Sequence, residues 1–132
     1  MKLKTLTAII LIAGMVGTAE ARPYPDKAGV CATFKNNELV SRDLCLIGVW
    51  TALGGRGAYV KTFDKVYDIK ELDDTKGVPT LTVNKAKAKR YYRHSGFFNI
   101  ITEDEAEQLS ESEEGGLLLC YKSSTTDICH SE

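Results

Sequence analysis

The longest apolar stretch beyond the N-terminal region of this 132-residue chain is an uncharged segment, residues 44–53. It contains Trp50, the only tryptophan, and the glycine-rich segment 54–57 follows it at once. A short apolar run of this kind is compatible with a buried strand or with a helix. Because glycines and then an alternating segment come directly after it, the pattern favours a buried strand. We expect the other elements of the fold to pack around this strand.

The rest of the chain repeats one pattern, in which short apolar or alternating stretches are separated by turn signals roughly every 8–15 residues. Two of these signals are Asn36-Asn37 and Asn84-Lys85, since asparagine tolerates the left-handed backbone of a tight turn. The predicted strands cover residues 30–34, 38–40 leading into 44–53, 58–63, 66–69, 78–83, 86–92, 97–101, 117–122 and 126–129.

One hairpin is specific enough to predict its register. Asp64-Lys65 has the length of a two-residue turn, which would place Phe63 directly opposite Val66 on the partner strand. The polar residues 70–77 end in Lys-Gly, which is typical of a loop. We therefore expect the strand that begins at Val66 to stop before this polar segment.

A single short helix is predicted near residues 103–112. Thr102 and Glu105 have the spacing of a capping box, and the acidic residues after Thr102 suit the positive end of the helix dipole. Many short strands with one helix indicate an all-β fold, mostly an antiparallel meander, built as a small sandwich or barrel. The domain covers residues 30–132, and the proline-containing residues 22–29 form an extended entry to it.

The first 21 residues have the features of a signal peptide. Lys2 and Lys4 precede the apolar stretch 6–16, and an Ala-x-Ala cleavage signal ends at Ala21. The apolar stretch is shorter than the roughly 20 residues that a membrane-spanning helix needs, although an uncleaved anchor remains the alternative. We expect a periplasmic or secreted protein that has no membrane attachment after cleavage.

The four cysteines predict two disulfides, because exported proteins mature in oxidising compartments. The preferred pairs are Cys31–Cys45 and Cys120–Cys129. The second pair lies directly opposite across a turn at Ser124-Thr125, a separation that suits a disulfide. The first pair is offset across its hairpin, so it requires a bulge or stagger near Arg42-Asp43. A metal site built from cysteines and His130 is the alternative, but the chain has no Cys-x-x-Cys motif.

The charges along the chain are segregated, although the formal net charge is only −1. Five basic residues fall within residues 85–93, and seven acidic residues fall within residues 103–114. Near-neutrality and the nearby acidic segment argue against nucleic acid as the partner. One interpretation is a pair of solvated, mutually neutralising faces. The other is a bipolar surface that steers a charged protein partner.

The sequence contains none of the zinc-protease, nucleophile-elbow or phosphate-loop motifs. His94 can titrate near neutral pH, and acidic residues at 103–105 could serve as its partners in a hydrolase. The alternative is an exposed histidine at a strand end. No metal or cofactor is predicted.

The predicted binding residues come from two segments of the chain. Arg56 lies in the glycine-rich segment, and the planar fork of an arginine binds carboxylates and phosphates. The alternative, which the frequency of glycine-rich hairpin ends favours, is that the glycines form a hairpin end and Arg56 only solubilises its tip. The second segment combines basic residues with tyrosines, which are favoured as interface anchors. The predicted set is Arg56, Arg90, Tyr91, Tyr92, Arg93 and His94.

These observations favour a non-enzymatic binding or inhibitory module whose partner is a protein with a charged surface. Two alternatives stay open. The first is a small secreted hydrolase of ribonuclease type centred on His94. The second is a carbohydrate-binding subunit of a toxin.

Overall fold

The computed structural model describes residues 26–112 and 115–131, which form ten strands and one helix. The predicted signal peptide and residues 22–25 of the predicted extended entry lie outside the described residues. The elements are β1 (Lys27–Lys35), β2 (Glu38–Ala52), β3 (Gly55–Lys61), β4 (Val66–Asp73), β5 (Pro79–Val83), β6 (Ala86–Lys87), β7 (Lys89–His94), β8 (Ile100–Ile101), α1 (Glu103–Glu111), β9 (Leu117–Lys122) and β10 (Asp127–Ser131).

The ten strands form one antiparallel sheet in the order β6-β5-β4-β3-β2-β1-β10-β9-β7-β8. The sheet curls into a half-barrel, and the described part of the chain contains a single short helix. The predicted all-β fold with one helix is therefore confirmed. Thr102 caps the helix: its side chain accepts from the backbone N–H of Glu105, and the Glu105 side chain accepts from the Thr102 backbone in return.

The segment β6–β7 explains why the sheet curls. β6 pairs with β5 at one end of the strand order, and β7 pairs with β9 near the other end. Ala88 alone lies between them, and its backbone N–H donates to the carbonyl of Leu81 at 3.0 Å. The next residue, Lys89, already faces Lys122 in β9. Because one residue joins the two regions, they must be neighbours in space.

The two asparagine turns are confirmed. The central residues have positive φ angles of 51° and 65° at Asn36 and Asn37, and of 48° and 71° at Asn84 and Lys85. Positive φ at both central positions is the geometry that matches the twist of the flanking strands.

The predicted two-residue turn at 64–65 is wrong. Lys61, not Phe63, lies opposite Val66, so the connection is a four-residue loop that begins at Thr62. The Thr62 N–H donates to the carbonyl of the last loop residue at 2.8 Å, and the Thr62 hydroxyl accepts from the N–H of that residue at 3.1 Å. The threonine side chain thus closes the loop without the positive φ angles of a two-residue turn. Phe63 is left fully exposed at the tip.

The prediction of a loop over 70–77 is wrong in its first half. β4 continues to Asp73, and only residues 74–78 form the connection. The Asp74 carboxylate organises this loop, because it accepts hydrogen bonds from two later backbone N–H groups at 2.8 and 2.9 Å. The polar residues before it still alternate between the two faces of the sheet, and Glu71 faces the concave side.

Both predicted disulfides are confirmed, and all four cysteines are paired. Cys120 and Cys129 lie directly opposite each other in β9 and β10, as predicted, with Cα atoms 4.0 Å apart. The Cα atoms of Cys31 and Cys45 are 6.0 Å apart, and this pair bridges β1 and β2 diagonally.

A β-bulge makes the diagonal disulfide possible. Cys31 lies opposite Asp43, two positions from Cys45. The bulge lies at Val40, slightly before the predicted position, where the register shifts by one residue. Side chains alternate between faces along a strand, so without that extra residue Cys45 would point to the opposite face from Cys31.

Residues 44–52 of the segment 44–53 form a strand, as predicted, whereas Leu53 lies in the following turn. The strand is not buried on both faces. Cys45 and Ile47 are buried on the concave face, whereas Leu44 is 81% exposed on the convex face. Trp50 is half-buried. Along this part of β2 the sheet encloses only its concave side, which is why a wholly apolar segment keeps one solvated face.

Three apolar clusters stabilise the fold. The first fills the concave side of the half-barrel and contains Cys31, Cys45, Ile47, Ala58, Val60, Tyr67, Ile69, Val83, Tyr121 and Ile128. The second lies on the convex face of β1, β10 and β9 and contains Ala32, Phe34, Leu118, Cys120 and Cys129. The third is the contact of α1 with the sheet and contains Ile101, Ala106 and Leu117.

The predicted strand 97–101 is shorter in the structure, because β8 contains only Ile100–Ile101. Phe98 has a positive φ of 60°, an uncommon conformation for a bulky residue. This conformation lets its ring contact Phe34 edge-on, with centroids 6.1 Å apart.

Candidate functional site

The concave face of the half-barrel opens into a cleft of about 360 Å³, a volume within the range of ligand pockets. Its apolar lining residues are Val49, Ala58, Ile69, Leu81 and Leu119, with the backbone of Gly57. Its polar and aromatic lining residues are Thr51, Arg56, Glu71, Arg90, Tyr92, Tyr121 and His130.

The glycine-rich turn places Arg56 on this concave face. Gly54 has a φ of 83°, which suits glycine in the turn between β2 and β3. Arg56 then lies opposite Glu71 of β4. A Cβ atom at Gly57 would lie 2.5 Å from the ring of Trp50, so glycine allows that ring to cover the convex face. The glycines thus have a structural role, and Arg56 lines the cleft.

Glu71 connects two arginines across the cleft. One carboxylate oxygen is 3.2 Å from an Nη of Arg56, and the other is 2.6 Å from an Nη of Arg90. The Glu71 side chain is 23% exposed, against 59% for Arg56 and 31% for Arg90. Two guanidinium groups therefore share one carboxylate, and these three side chains have a combined charge of +1.

Aromatic rings position Arg90. Its guanidinium carbon lies 5.7 Å from the ring centroid of Tyr121, within the range of a cation–π contact. His130 stacks on Tyr121, with ring centroids 5.7 Å apart and planes 16° apart. Burial raises the pKa of Tyr121, and Arg90 partly opposes this shift. Arg90 is thus fixed between an aromatic ring and Glu71.

The cleft combines the groups of a recognition site. Guanidinium groups make charge-assisted hydrogen bonds to acidic groups, and the apolar residues beside them offer contacts for an aliphatic or aromatic group. The arrangement can bind an anion that carries an apolar neighbour.

The six predicted binding residues do not form one surface. Arg56, Arg90 and Tyr92 line the cleft together. Tyr91 and Arg93 contact the convex cluster instead, because successive side chains of β7 point to opposite faces of the sheet.

Arg93 is buried, with 3% of its surface exposed, and it joins three parts of the chain. It donates to the side-chain oxygen of Asn37 at 2.7 Å, to the carbonyl of Phe98 at 2.7 Å and to the hydroxyl of Tyr91 at 3.1 Å. Its guanidinium carbon lies 3.8 Å from the ring centroid of Phe34. These contacts give Arg93 a structural role.

Tyr91 extends this network towards β10. Its hydroxyl donates a hydrogen bond to the carboxylate of Asp127, which is itself buried. Burial, reinforced by the hydrogen bond to Asp127, raises the pKa of Tyr91 to about 12.

His94 lies at the end of β7, beyond the cleft. Its Nδ1 accepts a hydrogen bond from the N–H of Gly96 at 2.9 Å, and its ring contacts Phe97 with centroids 5.2 Å apart. The hydrolase hypothesis centred on His94 stays a prediction.

Sequence reasoning missed Glu71 and Tyr121 as members of the site. Glu71 falls within the predicted polar loop 70–77, although it continues the alternation of Tyr67 and Ile69, which are buried on the concave face. That alternation is the signal that could have identified it. Tyr121 was predicted only as a strand residue, and its contact with Arg90 is long-range.

The two oppositely charged segments lie on adjacent elements. Lys87 and Lys89 are exposed. The helix α1 packs against β7 and β9, burying Ala106, and it exposes its acidic side chains Glu103, Asp104, Glu105, Glu107 and Glu111. A basic surface and an acidic surface therefore flank β7.

Comparison of the chain with protein-family models, curated proteins and solved structures finds no match. Within residues 26–112 and 115–131, no helix is long and apolar enough to cross a membrane. In the same part of the chain, no group of three or more histidine, cysteine or acidic side chains has the arrangement of a metal site.

Proposed function

We propose that this chain is an exported, non-enzymatic binding module that uses the half-barrel cleft to contact a protein partner with a charged surface. The observation that supports the proposal is the convergence of Arg56, Arg90 and Tyr92 in one cleft. Arginine and tyrosine are the residue types that most often dominate the binding energy of interfaces.

The electrostatics of the surface support a protein partner of mixed charge. The cleft has an excess of positive charge, while the acidic face of α1 lies on the neighbouring elements. Segregated charge of this kind steers association and makes it sensitive to salt, because exposed charges are screened within about 10 Å at 0.1 M ionic strength.

Export is the second part of the proposal. Two disulfides are typical of proteins that mature in an oxidising compartment. Residues 1–21 have the charge and apolar pattern of a signal peptide. Together they support a periplasmic or secreted location for the mature chain, residues 22–132.

Affinity capture with the immobilised mature chain tests the proposal. Wild type, Arg90→Gln and Lys89→Gln are compared in an extract of the compartment, at about 0.05 M and about 0.5 M salt. Lys89→Gln is the matched control, because it removes one positive charge from the residue next to Arg90 at an exposed position outside the cleft. Bound proteins are identified by mass spectrometry.

The expected result is a partner that wild type and Lys89→Gln retain at low salt, and that Arg90→Gln and high salt release. Retention of the same proteins by wild type and Arg90→Gln would contradict the role of the cleft. Recovery of no specific protein by wild type at low salt would contradict the protein-binding function itself.

A further inference from the structure

We infer that the cleft recognises a carboxylate next to an apolar side chain on the partner, and that Glu71 competes with this carboxylate for Arg56 and Arg90. This inference rests on the proposed function, and it specifies the chemical group that the partner presents. In this inference the two arginines bind the carboxylate of the partner, whereas Glu71 weakens that binding.

The first argument is the number of donors. An arginine has five N–H donors arranged in a planar fork. In the described part of the chain, Arg56 and Arg90 each contact Glu71 through a single Nη nitrogen. Arg90 also hydrogen-bonds the Tyr121 side chain, and the donors of both guanidinium groups that are left can bind a second planar acceptor. A carboxylate matches the fork of an arginine with two parallel hydrogen bonds.

The second argument is charge. The combined charge of Arg56, Arg90 and Glu71 is +1, which one carboxylate neutralises. A phosphate monoester has a charge close to −2 at neutral pH, so it would leave the same three side chains with an uncompensated negative charge. The site is therefore matched to a carboxylate.

The third argument is the apolar part of the cleft. Ile69, Leu81 and Leu119 line it beside the arginines. A volume of about 360 Å³ is at the small end of ligand pockets, so it suits one or two side chains and not a long peptide. An acidic residue flanked by an aliphatic or aromatic residue can bind the arginines with its carboxylate and contact the apolar lining with its neighbour.

The fourth argument is the geometry of Glu71. Glu71 in β4 lies directly opposite Arg56 in the neighbouring strand β3. It also contacts Arg90 in β7, a strand near the other end of the strand order. An incoming carboxylate that binds the remaining donors of these two guanidinium groups lies close to the Glu71 carboxylate. The two negative charges repel each other and share the same two positive partners, so they compete. Glu71 thus sets the affinity of the cleft for acids, and its removal strengthens binding.

Two acetylated, amidated tripeptides provide the test, Leu-Glu-Phe and the neutral analogue Leu-Gln-Phe. Each is titrated into the isotope-labelled mature chain at low salt, and binding is followed by NMR shifts of cleft residues. We expect Leu-Glu-Phe to bind wild type at least about tenfold more tightly than Leu-Gln-Phe. Arg90→Gln should weaken binding of the acidic peptide about tenfold or more, and Lys89→Gln should change it less than about twofold.

Glu71→Gln distinguishes competition from a purely structural role. We expect it to strengthen binding of Leu-Glu-Phe by about threefold to tenfold and to leave Leu-Gln-Phe nearly unchanged. Equal or weaker binding of Leu-Glu-Phe by a folded Glu71→Gln variant would overturn the competition. Glu71→Asp keeps the charge, and its affinity should stay near that of wild type if competition is correct.

Octanoate and a phosphoserine peptide identify other sources of the ligand. Binding of octanoate without binding of Leu-Glu-Phe would overturn a protein source for the carboxylate. Tighter binding of the phosphoserine peptide than of Leu-Glu-Phe would overturn the carboxylate selectivity. If neither tripeptide binds but affinity capture succeeds, this inference fails and the proposed function stands. If capture fails but Leu-Glu-Phe binds as expected, the cleft chemistry stands without the protein partner.

Discussion

Arg93→Met tests the structural role of the buried arginine. The substitution removes a guanidinium that is 3% exposed and keeps an unbranched apolar side chain in its place. Three acceptors then lose their donor: the side chain of Asn37, the carbonyl of Phe98 and the hydroxyl of Tyr91. These acceptors belong to the β1–β2 turn, the 95–99 connection and β7, so the loss affects three segments at once.

The magnitude follows from these contacts. A hydrogen bond to a charged group contributes about 1.5–3 kcal/mol, but bonds to one side chain are not additive. The partners of Arg93 are neutral, and leaving one buried acceptor without its donor costs about 1–3 kcal/mol, so we expect Arg93→Met to lose about 3–5 kcal/mol for the three acceptors together. Small domains have about 5–15 kcal/mol of total stability, so the variant should lose a large fraction of it.

Urea unfolding with intact disulfides, followed by circular dichroism, measures the effect. Arg56→Met is the matched control, because Arg56 is 59% exposed and makes one ion pair, and it should lose less than about 1 kcal/mol. Arg93→Lys keeps the charge but cannot reproduce three separated donors, so its stability should fall between the two. A loss of under about 1 kcal/mol in Arg93→Met would refute the structural role.

Three further predictions concern stability. The pKa of Tyr91 is raised from 10.0 to about 12 in the folded protein, so the phenol of the unfolded chain ionises at lower pH than that of the folded protein. The free energy of unfolding should therefore fall as pH rises between these values. A shift of this size corresponds to about 2.7 kcal/mol at most, and the loss is smaller because solvent reaches the half-buried ring. Tyr91→Phe should flatten this pH dependence, measured by urea unfolding at each pH. Gly57→Ala should lose about 1–3 kcal/mol by thermal unfolding, because the new Cβ would overlap Trp50; unchanged stability would contradict that packing. The double variant Cys31→Ala/Cys45→Ala should lose about 2–4 kcal/mol in urea, and a loss near zero would show that this cross-link does not constrain the unfolded chain.

Local chemistry made much of this fold predictable. The asparagine turns, the capping box at Thr102 and the cross-strand pair Cys120–Cys129 each depend on residues close in sequence. The register of the 62–65 loop was missed because a threonine hydroxyl bonded to the backbone replaces the usual turn residues. A hydrogen bond from the backbone to a threonine hydroxyl is also a local interaction. However, several residue types can close a loop in this way, so the sequence pattern does not specify the loop.

The candidate site was predictable only in part, because its residues come from distant strands. Alternation along β7 separates Arg90 and Tyr92 from Tyr91 and Arg93, and the sequence shows that alternation. Which of the two faces is concave depends on the curl of the whole sheet. The position of Glu71 between two arginines depends on the same curl, because Arg90 reaches it from the other end of the strand order.

The placement of the two disulfides divides the half-barrel into unequal parts. Both cross-links lie among β1, β2, β9 and β10, whereas no disulfide reaches β3, β4 or β5. Arg56 and Glu71 lie in the strands that no disulfide reaches, β3 and β4. Arg90 lies in β7, which pairs with the disulfide-bonded strand β9. Regions of a protein that lack cross-links and have lower local stability unfold locally more often than the cross-linked regions beside them. Because the chain still joins this part of the sheet to β7 through Ala88, we expect local opening of its strands and not separation of the two sides of the cleft. Amide hydrogen exchange should therefore be faster in β4 and β5 than in β9 and β10.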